Sequence, residues 1–197
     1  NPESKRAREQ NTPLIRRSQL LGQIISDKKV LAVTGSHGKS TATAMLAQIL
    51  EAVGKDPLVI VGADVAGFGG NVRYGEGEWA VVEACEAYDS FHDIRPTHVL
   101  LTNLEPEHLD YHGNWENLRD SVVRFIKSSN GGSLVFYGPD KGAQEVAKMA
   151  GGGQPYTEGA ETEATFGNHN TLNARGAVEM AKLAGVGEAA ALKAVKA

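Results

Sequence analysis

The 197-residue sequence holds one cysteine, Cys85. That excludes a disulfide framework within the chain and fits a reducing compartment, so a cytoplasmic location is expected. Placed after an apolar run, Cys85 itself reads as a small buried hydrophobe. Long hydrophobic runs are lacking too. None approaches the roughly 20 residues a membrane-spanning helix needs, and no membrane partner is expected. Basic charge is short: 20 Lys and Arg stand against 24 Asp and Glu, a net charge of −4. No global basic footprint for nucleic acid results, and a soluble chain handling small molecules fits better. Neither an internal repeat nor a sustained heptad occurs. The chain opens on Asn1 with neither a methionine nor an apolar signal segment, so it is expected to be an excised or processed part of a longer product.

What is present is enough for one substantial core, at roughly 100 to 200 residues per domain. Short apolar runs at Val30–Val33, Pro57–Val61, Glu78–Glu83, Thr97–Thr102 and Ser133–Tyr137 lack clean alternation. That pattern predicts strands of a parallel sheet covered on both faces. Helical periods at Ala44–Leu50, Trp115–Lys127 and Gln144–Met149 alternate with them, the signature of a layered α/β fold. Before the first strand, Leu14, Ile15, Leu20, Leu21, Ile24 and Ile25 predict an amphipathic lead-in helix with Arg16 and Arg17 on its wet face. A glycine-rich loop is expected over 62–77. Residues 151–167 carry little apolar content and read as a connection, a soft internal boundary. Two alanine-rich helices are expected beyond it, over Asn168–Gly185 and Glu188–Ala197.

The stretch "VLAVTGSHGKSTATAMLAQIL" passes from strand to turn to helix. The N–H groups at such a helix start have no acceptor within the helix, and with the helix dipole they form an anion site to which Lys39 adds a full positive charge. The loop resembles a phosphate-binding P-loop, whose lysine reaches the terminal phosphates and whose next hydroxyl, here Ser40, binds Mg²⁺. The strict GxxxxGKS/T pattern asks for glycine where Val33 stands, so the first flexible position moves to Gly35. A structural turn is the competing reading. In open α/β sheets ligands sit beyond the C-terminal strand ends, and two further ends are loaded, by "VVEACEAYDSF" and "LLTNLEPEHLDYHG". Glu83 and Glu86 offer the oxygen Mg²⁺ prefers, while His108 is a less usual ligand for it. Singly, each reads as a solvated loop residue.

"TGSHGKST", "EACEAYDSF", "TNLEPEHLDYHG" and "GNHNTLNARGAVEMAKLAGV" occur in the order seen in the Mur ligases. The chain resembles that family's central ATP-binding domain, a three-layer α/β fold with a mostly parallel sheet and a P-loop. The histidine of GSHGKS points to the branch that joins L-alanine to UDP-N-acetylmuramate, and the opening "NPESKRAREQNTPLIRRSQLLGQII" is similar to the segment that leads in from the family's UDP-binding domain. The resemblance implies residues 1–28 as linker and lead-in helix, and 29–197 as the ATP-binding domain. N- and C-terminal domains of the same ligase would be its partners.

It further implies ATP and Mg²⁺ as cofactors, with Gly35, Ser36, His37, Gly38, Lys39, Ser40 and Thr41 around the phosphates. Ser40 and Glu83 would hold one Mg²⁺ and His108 a second, and Lys39, Glu83 and His108 would form the catalytic set. His169, Asn170 and Asn173 match positions that contact adenine. Other branches carry a carbamylated lysine where Val122 stands here. The activity implied is peptidoglycan precursor synthesis: ATP-dependent amide formation through an acyl phosphate. A recycling or other Mur-type amide ligase, and a nucleotide-binding module without turnover, stay open as alternatives.

Overall fold

The structure, a computed structural model, describes residues 1–129 and 131–196, and for residues 160–169 the backbone alone. Strand β1 (Lys29–Thr34) is buried from its second residue onward. Val30 and Ala32 face one core layer, Leu31 and Val33 the other. That two-sided burial is why the run is apolar without alternation. Strands β2 (Leu58–Val65), β4 (Trp79–Glu83), β5 (His98–Leu101) and β6 (Leu134–Tyr137) repeat the pattern. With β3 (Gly70–Arg73) and β7 (Gln154–Tyr156) they form one seven-stranded sheet, ordered β3-β2-β4-β1-β5-β6-β7. Every pairing is parallel except β2 with β3.

Helices α3 (Lys39–Ala52), α7 (Ala160–Leu183) and α8 (Glu188–Val195) cover one face. Helices α5 (Trp115–Lys127) and α6 (Lys141–Ala150) cover the other, with Phe91 and Phe125 stacked 4.5 Å apart. The three-layer architecture expected from the sequence is the one observed. Val122 lies buried in α5. Two helices precede the sheet: α1 (Pro2–Glu9), capped by the Asn1 side chain with Pro2 in its first turn, and α2 (Arg17–Ile24).

Several element bounds differ from expectation. The lead-in helix begins only at Arg17. The loop over 62–77 is partly sheet: β2 runs on to Val65, reverses at Gly69 in the left-handed region (φ 70°), and returns as β3 with a register shift between Ile60 and Val65. Residues 151–167 hold β7 and the start of α7. Pro155 is tolerated there because β7 is the edge strand, and its neighbour Tyr156 carries the burial. Helix α6 starts at Lys141, earlier than predicted, because the Asp140 side chain accepts from the Ala143 N–H and caps it. Among the described residues, no helix is long and apolar enough to cross a membrane.

Candidate active site

After β1 the chain moves to one side of the sheet, building β2, β3 and β4, then crosses to the other side as β5. The crevice at this switch point lies at the C-terminal ends of β1, β4 and β5, the place where open α/β sheets hold ligands. All three ends are loaded with polar groups.

The loop Gly35–Gly38 joins β1 to α3. Gly35 (φ 129°) and Gly38 (φ 81°) stand in conformations that other residues rarely adopt. Space forbids side chains as well: a Cβ on Gly38 would lie 2.3 Å from Asn173 Oδ1, and one on Gly35 would lie 2.4 Å from Thr102 Oγ1. Val33, at the position where the strict motif has glycine, is an ordinary buried strand residue. The segment after β5 straps the loop in place. Thr102 Oγ1 and Asn103 Nδ2 both donate to the His37 carbonyl (2.7 and 3.0 Å), and Asn103 Oδ1 accepts from the His37 N–H at 2.8 Å. The Ser36 N–H donates to the Asn103 carbonyl, and the Glu105 N–H donates to Ser36 Oγ at 2.9 Å. The His37 ring is exposed, 3.5 Å from Glu107 and 3.8 Å from Glu105.

Helix α3 opens with Lys39, Ser40 and Thr41. Lys39 Nζ donates to the carbonyls of Gly35 (2.6 Å) and Ser36 (3.0 Å) and to Glu86 Oε1 at 3.3 Å. Ser40 Oγ donates to Glu83 Oε2 at 2.8 Å, and the Gly62 N–H donates to the same oxygen at 2.7 Å. His108 stands at the start of the short helix α4 (Leu109–His112) with φ 54°. Its Nε2 lies 3.8 Å from Glu86 Oε1. The structure thus pairs Ser40 with Glu83, and brings Lys39 and His108 together through Glu86. Half-buried Cys85 lies between the two carboxylates in sequence. Burial pushes its thiol above the usual range, which leaves it neutral near neutral pH and a poor nucleophile.

On the α3–α7 side a cleft of about 490 Å³ opens against the loop, lined by His37, Gly38, Thr41, Asn103, Asn170 and Asn173. The His169 side chain lies outside the described residues. A smaller cavity of about 180 Å³ touches the other flank, where Glu83, Cys85 and Phe91 meet Arg17 and Ser18 of α2.

Three participants were not singled out from the sequence: the strap formed by Thr102 and Asn103, the Gly62 N–H on Glu83, and the depth of Glu86. The carboxylate of Glu86 was visible as a candidate oxygen ligand, yet a loop acid reads by default as solvated. In the fold it is only 1% exposed, and its Oε2 has no hydrogen-bond partner among the described residues. Its spacing of three from Glu83 was the available signal.

Residues 33–175 match the family model described as Mur ligase middle domain. The chain is 36% identical over 182 residues to a UDP-N-acetylmuramate–L-alanine ligase of Mesorhizobium japonicum, covering 88% of this chain and 38% of that protein. It is 41% identical over 138 residues to the same-named enzyme of a Methylobacterium species, covering 70% and 28%. It therefore spans well under half the length of these curated relatives. Among solved structures, UDP-N-acetylmuramate-alanine ligase from Thermotoga maritima superposes with a TM-score of 0.83 at 25% identity, over 100% of this chain and 51% of that one. A UDP-N-acetylmuramate:L-alanyl-gamma-D-glutamyl-meso-diaminopimelate ligase from Neisseria meningitides shares the fold, with a TM-score of 0.85 at 24% identity over 98% and 74%. With a match over most of its length to that family's middle domain, carried on the same strand–loop–helix frame, the chain belongs to the Mur ligase family.

Proposed function

We propose that this chain is the nucleotide-binding domain of a cytoplasmic, ATP-dependent ligase that joins L-alanine to UDP-N-acetylmuramate. The single observation that carries the reading is the head of α3. There Lys39, the Ser40–Glu83 pair and Asn173 converge on one glycine loop at the switch point of the sheet. The names and level of identity of the curated relatives support the choice of substrates.

In this reading ATP lies along the α3–α7 cleft, its adenine toward Asn170 and Asn173 and its phosphates on the loop. The first-turn N–H groups of α3 and the Lys39 ammonium donate to phosphate oxygens, and they stabilise the charge that builds during transfer. Mg²⁺ fits the donors present: the Ser40 hydroxyl and the Glu83 carboxylate are hard oxygen ligands already in contact. His108 would hold a second ion through its ring nitrogen. Bound there, the ions would supply charge neutralisation at the transferring phosphoryl group. The substrate carboxylate attacks the γ-phosphate to give an acyl phosphate and release ADP, and the neutral amine of L-alanine then attacks the acyl carbon, forming the amide as phosphate leaves and the amine gives up a proton. Neither Lys39 nor Glu83 acts as a nucleophile: Lys39 neutralises phosphate charge, and Glu83 would hold the cation that does the same.

The test is calorimetric titration of the chain with ATP and Mg²⁺, followed by incubation with UDP-N-acetylmuramate and L-alanine and mass spectrometry of the products. Binding of ATP without amide product is expected. Holding carboxylate and amine in line contributes up to ~7 to 11 kcal/mol, and the relatives are more than twice as long as the region they share with this chain. Absence of ATP binding would overturn the proposal.

A further inference from the structure

The mechanism above leaves Glu86 unused. Its carboxylate is almost completely buried, a state that costs several kcal/mol per ion unless the charge is compensated. Among the described residues, only Lys39 Nζ at 3.3 Å and His108 Nε2 at 3.8 Å lie within ion-pair range of it, and the second counts only when protonated. The Glu86 backbone is held as well, its carbonyl 3.1 Å from the Nε2 of buried His112. One carboxylate oxygen is paired with the P-loop lysine, and the other has no partner.

We propose that Glu86 is a positioning residue that couples occupancy of the phosphate site to a divalent cation. Without ligand it is the counter-ion of Lys39 and holds the ammonium against the loop carbonyls of Gly35 and Ser36. An arriving polyphosphate draws Lys39 away and places new negative charge beside a carboxylate that has just lost its partner. Like charges side by side in a partly desolvated site repel strongly. A divalent cation bound with the nucleotide, for which His108 would be a ligand, would supply the missing positive charge. Glu86 thereby penalises nucleotide without metal and makes the complex with metal the favoured ligand.

This inference rests on the nucleotide reading above, and the experiment separates the two. ATP is titrated calorimetrically into the 197-residue chain in EDTA and in Mg²⁺, for the parent, Glu86→Gln and Glu86→Asp. The glutamine variant should bind metal-free ATP roughly tenfold more tightly than the parent and lose a similar factor of the gain from Mg²⁺. The aspartate variant, which keeps the charge, should retain most of the parental ratio. Glu86→Ser, neutral and smaller, gives the same readout if the glutamine variant does not fold. An unchanged ratio between EDTA and Mg²⁺ in the neutral variants overturns the inference, as does an equal loss of affinity in both buffers, which would mark a purely structural role. A parent that binds no ATP at all overturns the nucleotide reading and this inference together.

Discussion

Two buried carboxylates, Glu86 at the strand ends and Glu179 on α7, have nearly the same exposure, 1% and 4%, and opposite surroundings. Glu179 is fully engaged. Arg175 lies 2.6 Å away, Lys182 2.9 Å, and Gln154 Nε2 donates at 2.8 Å. Glu188 closes the network by meeting both cations again. Glu86 has one lysine at 3.3 Å and an idle oxygen. A closed network fixes α7 against α8 and edge strand β7, while an open one leaves charge available for a ligand. Buried charge alone therefore does not mark a site.

Lys39→Ala should have the largest effect. This change should abolish ATP binding, by about a hundredfold or more, and also destabilise the chain by ~3 to 5 kcal/mol, because it strands the Glu86 charge. Adding Glu86→Gln to it should restore most of the stability in urea denaturation and none of the binding. If the double variant is as unstable as the single one, Lys39 is not the counter-ion of Glu86.

Glu179→Gln should cost about 2 to 3 kcal/mol, somewhat less than for an isolated buried pair because Glu188 still engages Arg175 and Lys182. ATP affinity should stay within about twofold of the parent. A marked loss of affinity there would erase the distinction between the two carboxylates.

Glu83→Gln sharpens it from the site side. The variant should lose about tenfold in ATP affinity in Mg²⁺, since the Ser40 contact survives as a hydrogen bond but the charge does not. His108→Ala should act in the same direction. Retention of the parental Mg²⁺ dependence in both would remove them from the cation sites.

The smallest effect expected is on pH dependence, away from the nucleotide loop. Burial holds His92 and His98 below the usual histidine range. His98 Nδ1 accepts from the Ser133 N–H, and His92 Nε2 contacts Ser121 Oγ. The unfolded chain therefore takes up protons first. Stability should be greatest above the unfolded value of about 6.5 and decline as pH falls from there through the lower folded values. Thermal melts across this range should show a shallower decline for His98→Gln than for the parent. An identical decline would mean that other groups govern the acid limb.

Much of the frame was legible because its signals are local. Val30–Val33 as strand, Gly35 as first flexible loop position and Lys39–Ser40 at a helix start each follow from side-chain pattern and the φ that glycine allows. Less was legible where a segment is stabilised by distant partners. The strand Gln154–Tyr156 has little apolar content of its own and exists because β6 offers an edge and Tyr156 a burial site. The hairpin after Gly62 is held by pairing to β2 and by ion pairs from Arg73 to Glu51 and Asp56, none of which periodicity shows. At the site, Ser40 and Glu83 were foreseen and meet. The loop clamp by Thr102 and Asn103 was not, since those residues lie more than 60 positions from the loop they hold.

The alternating α/β order, the glycine loop before α3 and the polar groups at three strand ends are written in the sequence, because they depend on short-range periodicity, backbone freedom and residue chemistry. Which of two acids three residues apart stays half-open beside Ser40, and which is buried between Lys39 and His108, is set by long-range packing. Burial and charge compensation are set by the meeting of the loops after β1, β4 and β5, brought together by sheet order across more than 60 residues of chain.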